Sequence, residues 1–220
     1  MRLTVDDVRR DPEVEAFITK GNELLGAMGF TEHGHRHANL VASIAHNILA
    51  RLDFPPREAE LAAIAGYLHD IGNVISRHNH EQTGALLAYQ SLTRMGMPIE
   101  EVATVIGAIG NHDEGEGHVV NNACAALMLA DKSDVHRSRV RNPDLATFDI
   151  HDRVNYAAQH SFVRADLKRR SITLELTIDT KISPVMDYFE IFLTRMVMCR
   201  RAASFLGCNF EVSINDVRLL

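Results

Sequence analysis

Apolar residues recur at one period through the first 140 residues and at another after residue 170. That switch most limits what the chain can fold into. Before Asn142-Pro143 the spacing is helical. Asp11-Pro12 opens a run of Val14, Phe17, Ile18, Leu24 and Leu25 that Gly29 closes. A second run from His37 carries Leu40, Val41, Ile44, Ile48 and Leu49, and Pro55-Pro56 breaks it. Further helices are expected over about Glu58–Ile71, His80–Met95, from Pro98 through Ile109, and over about Asn122–Val140. After Asn142-Pro143 the character changes. Ser171 to Asp179 alternates Ile172, Leu174, Leu176 and Ile178 with polar residues, which predicts a half-buried strand. Ser183-Pro184 then starts a long helix ending at Gly207, and Phe210, Val212 and Ile214 mark another strand. The expected fold is mainly α: a helical domain over residues 1–145 and a small α+β appendage over 146–220.

Composition narrows the function. The chain carries 23 Lys and Arg against 29 Asp and Glu, so no global positive field draws it to a nucleic-acid polymer or an anionic membrane. The three cysteines, Cys124, Cys199 and Cys208, share no CxxC spacing and form neither a disulfide framework nor a zinc clip. No apolar run approaches membrane length, and Met1 to Asp7 has no apolar signal core, so a cytoplasmic location is expected. The unusual entry is histidine. All 12 lie between His33 and His160, which makes a metal site the first function to test.

The segment Leu68-His69-Asp70-Ile71-Gly72-Asn73 ends an expected helix, and its adjacent imidazole and carboxylate can serve one cation. His37 opens a helix about thirty residues earlier, and Asp131 lies on one about sixty residues later. Ligands on separate helices are how helical bundles build metal sites. His80, four residues before Gly84, and His112, in Asn111-His112-Asp113-Glu114, fall between them.

This order resembles the HD superfamily of metal-dependent phosphohydrolases, over about residues 30 to 140. His37-Ala38-Asn39-Leu40 is similar to the family's first-histidine helix, Leu68-His69-Asp70-Ile71-Gly72 to its doublet, and Leu129-Ala130-Asp131 to its final aspartate. His80 and His112 resemble the two extra histidines of members with a binuclear centre. The resemblance implies an HD-type helical bundle and two divalent ions per chain. One would take His37, His69 and Asp131, the other His80 and His112, with Asp70 bridging. It implies hydrolysis of a small-molecule phosphate ester, nucleotides included, by metal-activated hydroxide. The same ligands also resemble those of di-iron oxygenases, and a non-enzymatic nucleotide-binding sensor is the third reading. Asn73 replaces the lysine of the cyclic-dinucleotide phosphodiesterase branch, and that branch's Gly-Tyr-Pro motif is absent.

The chemistry is coherent without the resemblance. Two metals roughly 3.5–4 Å apart lower the pKa of a bridging water and clamp phosphate oxygens. Imidazole–carboxylate donors suit Fe, Mn, Zn or Co better than Ca or an all-oxygen Mg site. Lys132 and Arg77 are the expected phosphate contacts, and His136 shares a face with Lys132 if the helix continues. Asp113 and Glu114 are candidates to orient the attacking water. His33 and His78 are near neighbours of the ligands, with His78 the rival to His80. Arg137, Arg139 and Arg141 form a solvated helix end. The helix over 183–206 is apolar on several sides, which suggests packing on the first domain or on a second copy in a homodimer.

Overall fold

The computed structural model describes residues 2–114 and 117–219. Its N-terminal helices start where side chains satisfy the free backbone donors. Thr4 caps α1 (Val5–Arg9) in a capping box with Asp7. Asp11 caps α2 (Pro12–Ala27), accepting from the backbone N–H of Glu13 and Val14 at 3.1 Å, with Pro12 next in line. Then come α3 (His35–Arg51), α4 (Pro56–Leu68), α5 (His80–Arg94), α6 (Ile99–Gly110) and α7 (Asn122–Lys132). Helix α7 is the hub. Ala123 through Ala130 are all buried, and α3, α4, α6 and α9 (Val185–Phe205) pack around it. Its run of small residues lets those neighbours approach from every side, so the helix needs no polar face.

Beyond residue 145, α8 (Ile150–Ala157) leads into a four-stranded sheet of order β1-β2-β3-β4. Strand β1 (Ala158–Asp166) pairs antiparallel with β2 (Ser171–Ile178). Strand β2 pairs parallel with β3 (Asn209–Ile214), and β4 (Val217–Arg218) closes the other edge. A parallel neighbour requires a crossover, and α9 supplies it. The alternation foreseen at 172–178 and 210–214 is real: Ile172, Leu174, Leu176 and Ile178 are buried, as are Phe210, Val212 and Ile214. The fold is therefore mainly α with a small C-terminal sheet. One continuous apolar core joins helices and sheet, with Tyr188, Phe192 and Met196 of α9 buried in it. No helix among the described residues is long and apolar enough to cross a membrane.

Two expectations need correction. The helix expected to run to Val140 stops at Lys132. There the Ser133 hydroxyl donates to the Ala130 carbonyl at 2.7 Å, competing for the helical hydrogen bonds. Lys132 and His136 thus share no face, and His136 instead caps a 3₁₀ turn over Arg137–Arg139. Nor is Arg139 solvated. It is buried, and donates to the Glu32 carbonyl at 3.1 and 3.0 Å and the Asp134 carbonyl at 2.8 Å.

Candidate metal centre

Six side chains named from the sequence come together at the junction of α3, α4, α5, α6 and α7. His37 sits in the first turn of α3, and His69 and Asp70 follow the end of α4. His80 opens α5, His112 follows α6, and Asp131 lies in the last turn of α7. All four histidines are at most 2% exposed.

One local device aims three of the rings. The Nδ1 of His69, His80 and His112 meets the backbone carbonyl three residues earlier: Gly66 at 2.8 Å, Arg77 at 3.1 Å and Ile109 at 2.6 Å. His37 Nδ1 meets Asp134 Oδ2 at 2.7 Å. Carbonyls and carboxylates accept, so each Nδ1 carries the proton and each Nε2 presents a lone pair inward. Those lone pairs face one another, at 3.2 Å for His37 and His69 and 3.3 Å for His80 and His112. Such a contact is repulsive unless a cation or a proton lies between the rings.

The carboxylates divide the histidines into pairs. Asp70 Oδ2 lies 3.2 Å from His69 Nε2 and 3.6 Å from His37 Nε2, whereas its Oδ1 lies 3.3 Å from His80 Nε2. Asn73 donates to that Oδ1 at 2.9 Å and holds the carboxylate across the gap. Asp131 Oδ1 faces the first pair, at 3.2 and 3.5 Å. Three ligand trios have atoms mutually within 4.8 Å: His37, His69 and Asp70; His69, His112 and Asp131; Asp70, His80 and His112. Burial disfavours charge on His69, but Asp70 and Asp131 outweigh it and raise its pKa to about 10. The same histidine helps hold both carboxylates well below their usual range against burial. Burial, with His69 and Lys132 nearby, keeps His112 neutral, its pKa lowered to about 3. Imidazole nitrogens converging on two ionised carboxylates suit a divalent metal, which would displace the proton from His69. Metal-loaded protein should accordingly melt roughly 5–10 °C above chelator-treated protein at a hundredfold excess over Kd; an unchanged melting temperature would speak against a metal.

Close packing fixes the spacing between the doublet and His80. A Cβ on Gly72 would fall on the carbonyl oxygen of His80 and against the backbone nitrogen of Gly84. Gly72→Ala is therefore expected to push α5 outward, costing about 1–3 kcal/mol. A shift near 1 Å in His80 costs about a hundredfold in activity. Denaturant unfolding and metal content read the two effects separately.

The expected phosphate contacts occupy the rim. Lys132 is 5% exposed, with its Nζ 2.7 Å from Asp131 Oδ2 and 3.4 Å from Glu114 Oε1. Arg77 Nη1 lies 3.3 Å from His80 Nε2 and 3.7 Å from Asp70 Oδ1. Asp113 lines the same chamber. His78 is exposed on the loop before α5 and outside the cluster. His33 packs edge-on against His37 with 5.4 Å between ring centres, its Nδ1 donating to the Thr31 carbonyl at 2.7 Å.

Three residues here have no motif behind them. Asp134 orients His37 and takes both Nη atoms of Arg36, at 3.3 and 2.6 Å. Arg139 braces Asp134 from behind. Arg195, on α9, reaches in to pair with Glu114 Oε1 at 2.5 Å, so the C-terminal unit borders the site. Arg195 left a trace in the sequence as a charge interrupting an apolar helix, and Arg139 only as part of a basic run.

A helical fold that gathers histidines and aspartates from separate helices into a cluster able to hold a metal defines a class of protein that comparison narrows. The HD domain family model matches residues 34–178, about two thirds of the chain. The chain belongs to the HD domain family, and its bundle is of the HD type. It is 25% identical over 173 residues to an uncharacterized protein, MJ1020, of Methanocaldococcus jannaschii, a match that spans 68% of this chain and 66% of that one. It is also similar to the crystal structure of a predicted HD superfamily hydrolase from an uncultured Thermotogales bacterium. The identity there is 24% and the TM-score 0.42, covering 61% of this chain and 75% of the other.

Proposed function

We propose that the chain is a metal-dependent hydrolase that cleaves phosphate esters at a two-metal centre. One observation carries the reading: the two oxygens of Asp70 face different histidine pairs, His37 with His69 and His80 with His112. The first pair and Asp131 would hold one ion, the second pair the other, and Asp70 would serve both. Bound there, two divalent ions supply an acidified water and offset charge on phosphate oxygens. The chain's own residues supply the rest. Arg77 and Lys132 put positive charge on the rim for the phosphate. Glu114 holds Lys132 in place. Asp113 lines the chamber as an acceptor for the proton of an attacking water. Asp134 keeps His37 in the tautomer that presents Nε2.

The test is a panel of phosphomonoesters and phosphodiesters with protein reconstituted in turn with Mn, Fe, Zn, Co and Mg. Turnover should require metal, vanish with chelator and return on readdition. Metal-replete protein inert toward every phosphoester would refute the proposal.

A further inference from the structure

The chamber over the metal cluster is tiny, about 20 Å³, enough for one water-sized group. Whatever carries the reacting group must lie outside it. A cavity of about 310 Å³ adjoins the chamber, between the turn at residues 28–31 and helices α8 and α9. The two share His33, Arg77, Arg139 and Arg195 as a common wall. Its size is at the lower end of small-molecule sites, roughly 300–1,000 Å³.

The lining is mixed. At the shared wall are the three arginines. The lining also holds Met28, the partly exposed Phe30 ring and Phe192, which is otherwise buried in the core. The Arg195 guanidinium carbon lies 4.6 Å from the Phe192 ring centre, and that of Arg77 6.0 Å from Phe30's. Each ring thus has a cation over it that also borders the metal chamber. Asp149, His151, Asp152 and Asn155 of the α8 region also line it. Carboxylates repel phosphate but accept from hydroxyl and amino groups. The larger cavity of about 710 Å³ around Gln82 and Asn111, which meets the chamber at Arg77, His80 and Asp113, has no Phe, Tyr or Trp among its described lining residues.

We infer that the cavity between the 28–31 turn and α8–α9 binds the organic half of the substrate, a planar ring system bearing hydrogen-bond donors as in a nucleoside, while Arg195 grips the phosphate at the shared wall. This rests on the phosphoester reading and adds the class of leaving group. Arg195 is then a substrate-binding residue brought by the C-terminal unit, and substrate draws it away from Glu114.

The experiment compares adenosine 5′-monophosphate with glycerol 3-phosphate on metal-loaded protein, and measures binding of adenosine 5′-thiophosphate by calorimetry. The nucleotide should be preferred in kcat/KM by at least about tenfold, the scale of one lost ring stack. Phe30→Ala, at a half-exposed position that leaves the core intact, should cut both that preference and the thiophosphate affinity by about tenfold. Asp152→Asn, the second variant, should weaken the adenosine compound more than its deoxy or hypoxanthine analogues, whichever lacks the donor that Asp152 meets. Equal turnover of both esters, or thiophosphate binding indifferent to both substitutions, would overturn the inference. Failure of every ester, glycerol 3-phosphate included, would count against the hydrolase reading, and the binding measurement would still decide the subsite.

Discussion

Asp70→Ala is expected to lower metal-dependent turnover by about a thousandfold or more. Its two oxygens face different histidine pairs, so its loss weakens both half-sites together. Losing His80 alone would leave His37, His69, Asp70 and Asp131 in place. Asp70→Asn is the sharper variant. It keeps the volume and an oxygen for Asn73, but removes the charge that counters a second cation. Metal content and kcat/KM should fall together in both variants while the helical circular dichroism holds. Activity lost with metal content unchanged would mean that Asp70 acts on substrate rather than on metal.

Asp134→Ala is expected to be the most destabilising single change in the centre, by about 3–5 kcal/mol. Asp134 is 2% exposed and answers three groups at once: His37 Nδ1, both Nη atoms of Arg36, and Arg139 at 3.6 Å. Removing it takes from buried Arg139 its ion-pair partner and frees the His37 ring to turn. Metal affinity should drop about 10–100-fold, the usual effect of losing a group that orients a ligand. The acid limb of the stability profile carries the same signature. Burial opposes ionisation of Asp134, but His37, Arg139 and Arg36 outweigh it and hold the carboxyl well below its ordinary value of 3.8. A group depressed in the folded state contributes stability that is complete above its unfolded pKa and is lost as pH falls toward the folded one. The gap between wild type and Asp134→Asn, measured by denaturant unfolding, should thus be constant near neutrality and narrow below about pH 4. A gap that widened in acid would contradict the arrangement.

How much of this the sequence discloses depends on how local each feature is. Helix α5, expected over His80–Met95, ends at Arg94, because Gly96 beyond it stops the helix in a left-handed turn. Strand β2 is legible because alternation alone marks a one-sided strand. Strand β1 is not. It is an edge strand whose Phe162 is 42% exposed, and its pairing with β2 is a tertiary fact. The overlong α7 has the same cause, since only Ser133 and the inward turn of Asp134 end it. In the centre, the six clustered residues are legible because each sits at or beside a helix end in a fixed order. Asp134, Arg139 and Arg195 do their work across 97, 107 and 81 positions of chain, on His37, Glu32 and Glu114, and no local pattern encodes that.

The central claim is a two-ion centre in which Asp70 serves both ions, and calorimetric titration of metal-free protein with Mn²⁺ tests it most directly. Wild type should saturate at two equivalents per chain, with protons released as His69 gives up its charge. Asp70→Ala should lose at least one of those equivalents. Saturation below two equivalents in wild type, or a titration that Asp70→Ala leaves unchanged, would contradict it.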